Sequence, residues 1–254
     1  MTSNSFVIIV PVYNSEKWIG KCIDSILMQD YNNYKLIVID DCSTDGTWGI
    51  IKNYGVDCLR NSEHSGSALA NIIQGIKFFA FHDEDIIVTI DGDDWLADNG
   101  ALLYLNEVYK NDIWLTYGQY KPLSGKYKYT CQDLSSIRTP GANGKLITVS
   151  VTPDNYRQSE LWVTSHLRTF KHWLWNMIDD NDLRDIDGGY FKVAWDLAFM
   201  YPMIEMAGAK HIKFIDKLLY IYNDLNPNCD GKINTESQLK TAEYIQNKPK
   251  YNVL

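Results

Sequence analysis

Residues 86–94 read IIVTIDGDD, an apolar, β-branched run that ends in three carboxylates, Asp91, Asp93 and Asp94. Oxygen donors gathered this closely suit a hard cation, Mn2+ or Mg2+, which would offset the charge of a diphosphate. Gly92 lets the backbone turn sharply between them. The competing reading is an acidic turn whose side chains cap the helix that begins near Asp98. A second acid-tipped run, KLIVIDD over Lys35–Asp41, leads into CSTDGT. One of its aspartates, Asp40 or Asp41, could bond a base or ribose, while Asp45 caps the following helix. Asp196, in KVAWDLAFM, opens an apolar helix. It is either a general base in a partly dry pocket or a first-turn acid favoured by the helix dipole. The stretch WVTSHLRTFKHWLW (Trp162–Trp175) offers aromatic faces for sugar rings, with His166 and Arg168 able to hold phosphate or hydroxyl groups. Trp173 and Trp175 fit a helical core spacing instead.

These residues need elements to position them. The pattern predicts strands over Phe6–Val10 (stopped by Pro11), Leu36–Ile39, Val56–Arg60, Ile86–Ile90 and Ile113–Tyr117. Between them, helical spacing of apolar residues covers Trp18–Leu27, Asp45–Tyr54, Gly66–Ala80 and Asp98–Tyr109. Strand alternating with helix at this rhythm means βαβ units and a mostly parallel sheet. In such sheets ligands bind outside the carboxyl ends of the strands, where Asp40, Asp41, Asp91, Asp93 and Asp94 all fall. The rhythm breaks over 119–160, which carries turn formers and no clear helix. Between Gln119 and Ser150 five basic residues (Lys121, Lys126, Lys128, Arg138, Lys145) accompany one acid, Asp133. They form either a solvated loop or a cover for an anionic ligand. Beyond, helices are expected over Arg168–Ile178 and Trp195–Met206, then two closing strands in HIKFID and LLYIY. From Asn223 the chain turns polar, with a weak helical signal over Glu236–Gln246. The expected division is an α/β half (1–118), a further part of the same domain (119–225) and a C-terminal tail (226–254).

Bulk properties narrow the function. The 254 residues carry a net charge of −8, which argues against a nucleic-acid partner. No apolar run of about 18 residues suggests a transmembrane segment, and the N-terminus lacks the basic start of a signal peptide. Five cysteines without a CxxC pair suggest neither zinc nor a disulfide framework. A cytoplasmic location is expected, with any membrane contact peripheral or through a partner. The turn after the second strand is neither a GxGxxG nor a GxxxxGK[ST] loop, so dinucleotide and P-loop readings fail. A phosphohydrolase would need a DxDxT-like nucleophile strand, whose spacing DCSTDGT does not supply.

Taken together, Ile9–Asn14 (IVPVYN), Ile23–Gln29 (IDSILMQ), Val38–Thr47 (VIDDCSTDGT) and Asp91–Asp94 (DGDD) resemble the family 2 glycosyltransferases in order and spacing. The resemblance implies the GT-A type fold: an α/β single domain with a Rossmann-like, mostly parallel sheet flanked by helices. It implies a metal-dependent, inverting glycosyltransferase that moves a sugar from a nucleotide-diphospho-sugar, a UDP-sugar first of all, to a glycan or glycoconjugate hydroxyl. Residues 1–118 would then be the nucleotide-sugar-binding half and 119–225 the acceptor and catalytic part of the same domain, with Pro11, Tyr13 and Asp41 lining the nucleotide pocket. Asp91 and Asp93 would be the acids of the family's DxD motif, with Asp93 the best direct ligand of Mn2+ or Mg2+ and Asp94 its competitor. Asp196 falls where the family carries its catalytic base, although Trp195 replaces the usual preceding Glu. Leu219-Tyr220-Ile221-Tyr222 is similar to a late family pattern in which Asn223 here replaces Arg. The other class to weigh is a nucleotide-sugar-binding protein without transfer activity, motivated by Trp195, by Asn223 and by Asn71, which stands where a similar family stretch from Gly66 carries Arg.

Overall fold

The computed structural model describes residues 3–78, 82–125, 131–140, 145–149, 151–159, 161–227 and 235–254. Its centre is β1 (Phe6–Val12), every residue of which is buried. Parallel neighbours β2 (Tyr34–Asp40) and β4 (Ile86–Thr89) flank it, and β3 (Asp57–Arg60) continues the parallel ladder beyond β2. On the far side follow β9 (Arg168–Lys171), β6 (Leu115–Pro122), β10 (Ile212–Tyr222) and the two-residue β5 (Trp95–Leu96). Only β9 and β5 run antiparallel to their neighbours. A separate hairpin joins β7 (Ile137–Pro140) to β8 (Leu146–Val149).

Alternation along β1 sends Val7 and Ile9 to one face, and Phe6, Ile8, Val10 and Val12 to the other. The first face packs on α3 (Ala68–Phe78) and α7 (Trp195–Ala207). The second packs on α1 (Ile19–Leu27), α4 (Ala101–Val108) and Ile51 of α2 (Thr47–Tyr54). The result is a three-layer α/β molecule with a core on each side of the sheet, and a sheet covered on both faces accounts for the near-continuous apolar strands.

Several expectations are corrected. Pro11 does not end the first strand but lies within it. Its carbonyl accepts from the Gly92 amide, so that backbone edge faces the β4 side, past Thr89 where β4 ends. The missing N–H thus falls just where the pairing of β1 with β4 has ended, at Ile9 and Thr89. Arg168–Ile178 is not one helix: Arg168–Lys171 is inserted as a strand between β4 and β6, and α6 (His172–Asn176) is a short helix after it. Thr169 and Phe170 gain a two-sided buried site there, which outweighs the helical spacing of the tryptophans. HIKFID and LLYIY form one strand, β10, with register shifts between Ile215 and Leu218 and between Leu218 and Tyr220. The 119–160 stretch holds the end of β6, the hairpin and a single turn, α5 (Pro153–Tyr156).

The segment expected as a tail is instead packed against the domain. It contains α8 (Thr235–Gln246), whose Ile245 is buried, and Leu254 N donates to the Met206 carbonyl at the end of α7. Beneath it lies a buried bidentate pair, Arg157 Nε and Nη2 to Glu205, each 2.7 Å. Arg157 also donates to the carbonyls of Ile245 and Lys248, and Glu205 accepts from the Tyr251 amide. Among the described residues no helix is long and apolar enough to cross a membrane.

Candidate functional site

A cavity of about 1250 Å³ opens at the carboxyl rim of the parallel strands. It brings together Pro11, Tyr13, Asp41, Asp91, Asp93, His166, Arg168 and Asp196, residues that lie up to 185 positions apart in the chain (196 − 11). Asp40 and Asp94 do not line it. Asp40 is fully buried, accepts from the Ser43 amide and pairs with Arg60 at 3.3 Å. As the last residue of β2 it points opposite to Asp41, so only one of that aspartate pair reaches the cavity.

Asp41 owes its position to the turn after β2, where Cys42 takes a left-handed conformation (φ 64°). Its carboxylate draws the 61–67 loop over the strand end. Asn61 Nδ2 and the Ser65 amide donate to Oδ1; Ser65 Oγ and the Gly66 amide donate to Oδ2. Gly66, at φ +68°, can turn its amide inward in this way without strain. Burial alone would raise the Asp41 pKa, but the bonds from Asn61, Ser65 and Gly66 outweigh it and hold the carboxyl below its usual range.

The acidic turn after β4 is built around Gly92. A Cβ there would lie 2.5 Å from Val12 Cβ, so only glycine lets this turn close on β1. Asp94 is fully buried and held by Tyr220 Oη and the Asn223 amide, each at 2.7 Å. Asp93 accepts from Asn226 Nδ2 at 2.7 Å. Burial, and then the charges of Asp93 and Asp91, push the Asp94 pKa well up; burial raises that of Asp93, against the Asn226 bond. Ligand atoms of Asp91, Asp94 and His166 lie within 4.8 Å of one another. Asp94, whose ionised form is disfavoured by burial and by the charges of Asp93 and Asp91, and Asp93, disfavoured by burial, fit a divalent cation, which would favour the ionised forms.

His166 and Arg168 arrive on the antiparallel strand side, not on a helix. The His166 ring stacks on Tyr220 at 4.6 Å and its Nδ1 meets Arg168 Nη2 at 3.2 Å. Burial, then the Arg168 charge, lowers its pKa well below the ordinary histidine value, so the ring is neutral. With Nδ1 accepting from the guanidinium, the proton sits on Nε2, which makes the ring a donor. Arg168, almost fully buried, also donates from Nη1 to Asp196 Oδ2 at 2.7 Å and lies over the Trp195 ring. Asp196 is in the first turn of α7, which begins directly after Ala194 in a left-handed conformation (φ 47°).

The sequence reading missed Asn61, His64, Ser65, Asn223, Asn226 and Lys192, and the α8 residues Gln238, Glu243 and Gln246, all of which line the cavity or hold its acids. They carry no motif of their own; only the late Tyr-x-Tyr-Asn pattern pointed toward Asn223. Among the described residues, Lys121, Arg138 and Lys145 of the basic stretch do not line the cavity. Lys126 and Lys128 lie outside the described residues.

Fold and rim together define a GT-A type α/β protein with an acid-lined cavity at the carboxyl rim of its sheet. The family model for glycosyl transferase family 2 matches residues 7–134, half of the chain, and the chain belongs to that family. A poly(ribitol-phosphate) beta-glucosyltransferase of Bacillus spizizenii is 30% identical over 126 residues, 47% of this chain and 19% of that protein. An uncharacterized glycosyltransferase of Haemophilus influenzae is 36% identical over 118 residues, 44% of this chain and 46% of that protein. The matched segments thus span less than half the length of these relatives. The crystal structure of S. aureus TarS 1–349 in complex with UDP-GlcNAc superposes with a TM-score of 0.65 at 21% identity, covering 95% of this chain and 65% of that one. A mannosyltransferase from Pyrobaculum calidifontis in complex with GDP-Man and Mn2+ gives 0.62 at 15% identity, covering 99% and 67%.

Proposed function

We propose that this chain is a glycosyltransferase that moves a sugar from a nucleotide-diphospho-sugar, a UDP-sugar first of all, to a hydroxyl of a glycan or glycoconjugate with inversion at the anomeric carbon. The observation that carries the reading is a single cavity lined both by the acidic turn and by Asp196. In it the base lies toward Tyr13 and Asp41, and the diphosphate toward Asp91 and Asp93. The neutral His166 donates its Nε2 proton to an anionic oxygen there. Asp91, Asp93 and Asp94 would hold Mn2+ or Mg2+, with Asp93 the direct ligand that also faces the cavity. Such a cation supplies charge neutralisation at the departing diphosphate. Asp196 takes the proton from the acceptor hydroxyl as that oxygen attacks, and Arg168 fixes the orientation of its carboxylate. The distribution of relatives supports the same reading: glycosyltransferases among the curated proteins and UDP-sugar or GDP-sugar complexes among the solved structures.

The test is UDP release from a panel of UDP-sugars, with and without Mn2+ and with glycan acceptors. Release that needs both cation and acceptor is the expected result. Saturable donor binding with no release under any acceptor would leave the non-catalytic binding protein as the better account.

A further inference from the structure

Tyr13 and Asp41 should be open to a base, yet one side chain of this chain already satisfies both. His64 stacks on Tyr13 with ring centroids 3.8 Å apart and planes 17° from parallel. Its Nδ1 lies 2.9 Å from Asp41 Oδ2 and 3.1 Å from the Asp41 carbonyl oxygen. Both neighbours are acceptors, so Nδ1 carries the proton and donates. A planar ring lies on an aromatic face and presents an in-plane N–H to a carboxylate. Uracil offers the same features through its imide N–H.

Asp41 has no capacity to spare. Two carboxylate oxygens accept about four hydrogen bonds in good geometry. Asn61, Ser65 (amide and hydroxyl) and Gly66 already supply four, and His64 adds a fifth. An arriving base N–H must therefore displace a donor. Two of the donors are backbone amides that hold the 61–67 loop, and Asn61 is tied as well to Asn71 at 2.8 Å. The His64 side chain, by contrast, is 44% exposed, so it can swing into solvent without opening the loop. At 3.8 Å no second ring fits between His64 and Tyr13.

We infer that His64 occupies the base subsite of the ligand-free chain as an internal substitute for the nucleobase, and that donor binding displaces it. The inference rests on the donor reading above and adds a residue that sets donor affinity. Closed and open positions of His64 then form a two-state equilibrium in which only the open one is competent. The apparent affinity is reduced by the competent fraction, so removing the imidazole tightens binding.

UDP is titrated into the wild-type chain and His64→Ala by calorimetry in the presence of Mn2+, and the His64 ring protons of the wild type are followed by NMR. The expected result is roughly fivefold or greater tightening in His64→Ala, the factor for a subsite closed about four-fifths of the time. In the wild type, the ring-current shift that Tyr13 imposes on His64 should disappear as UDP saturates. Unchanged or weaker UDP binding by His64→Ala, or a His64 signal that stays shifted at saturation, would overturn the inference while leaving the donor reading intact. A wild-type chain that binds neither UDP nor GDP would overturn the donor reading, and the inference with it.

Discussion

Asp93 and Asp196 are the two side chains on which the proposed chemistry can be separated into parts. Asp93 lines the cavity and is bonded to Asn226, so Asp93→Ala removes a cation donor without emptying the core. Transfer should be abolished, and Mn2+ should no longer strengthen nucleotide binding in calorimetry. Full activity in that variant would remove the metal site from the proposal. Asp196→Asn keeps an oxygen for Arg168 but accepts a proton poorly. Nucleotide affinity should stay within about twofold while turnover falls by about 10²–10⁴, the usual worth of a general base. Surviving turnover would mean that another group takes the proton. Asp41 and Asp94 differ from these two because their oxygens hold the protein together, through the 61–67 loop and through Tyr220 and Asn223.

At the scale of elements, the rim works because turns close tightly on strand ends. The turn after β4 rests on Val12 and accepts nothing larger than hydrogen at Gly92. Gly92→Ala should destabilise the chain by about 1–3 kcal/mol, as overpacking does elsewhere, and weaken Mn2+ binding at the same time. Urea denaturation and a metal titration on the same sample check both. Loss of metal binding with unchanged stability would mean that the turn is looser than the close approach implies. The C-terminal elements pose a different problem, since α8 walls the cavity while its chain end is fastened by Arg157 and Glu205. Breaking a buried pair leaves an uncompensated charge, so Arg157→Met should cost about 3–5 kcal/mol in urea denaturation. A loss under 1 kcal/mol would show that the C-terminal segment is held by other contacts.

For the whole molecule, the acidic rim sets how stability depends on pH. Asp93 and Asp94 have pKa values raised by burial, so the folded chain binds their protons more tightly than the unfolded chain does. Their contribution is therefore intact below the unfolded carboxyl value of about 3.9 and is lost as pH rises through the raised folded values. A divalent cation favours the ionised acids and offsets that loss. Thermal melts should show a larger Mn2+-induced rise in Tm at pH 7 than at pH 5. An equal or larger rise at pH 5 would count against these acids as the binding groups. Asp41 has the opposite sign: with its pKa depressed, its contribution is present above the unfolded value and fades as pH falls through the folded one.

Short-range physics made much of this legible in the chain alone. Buried parallel strands must be apolar along their whole length, so β1, β2 and β4 stand out, and acids directly after β2 and β4 mark the carboxyl rim. The mostly parallel α/β layout, the acidic turn and the place of Asp196 at the head of an apolar helix follow from such local patterns, while the GT-A type is what the resemblance of the motifs implied. Other decisions needed the third dimension. Asp40 and Asp41 are neighbours of the same chemistry, yet strand alternation buries one against Arg60 and turns the other into the cavity. Arg168 became a strand residue linking His166 to Asp196 because the sheet had a slot between β4 and β6, which no periodicity records. His64, Asn226 and α8 meet the rim from far along the chain or from unremarkable loops. Their roles come from contact across space, and hydrogen bonds between distant residues leave no spacing to be read.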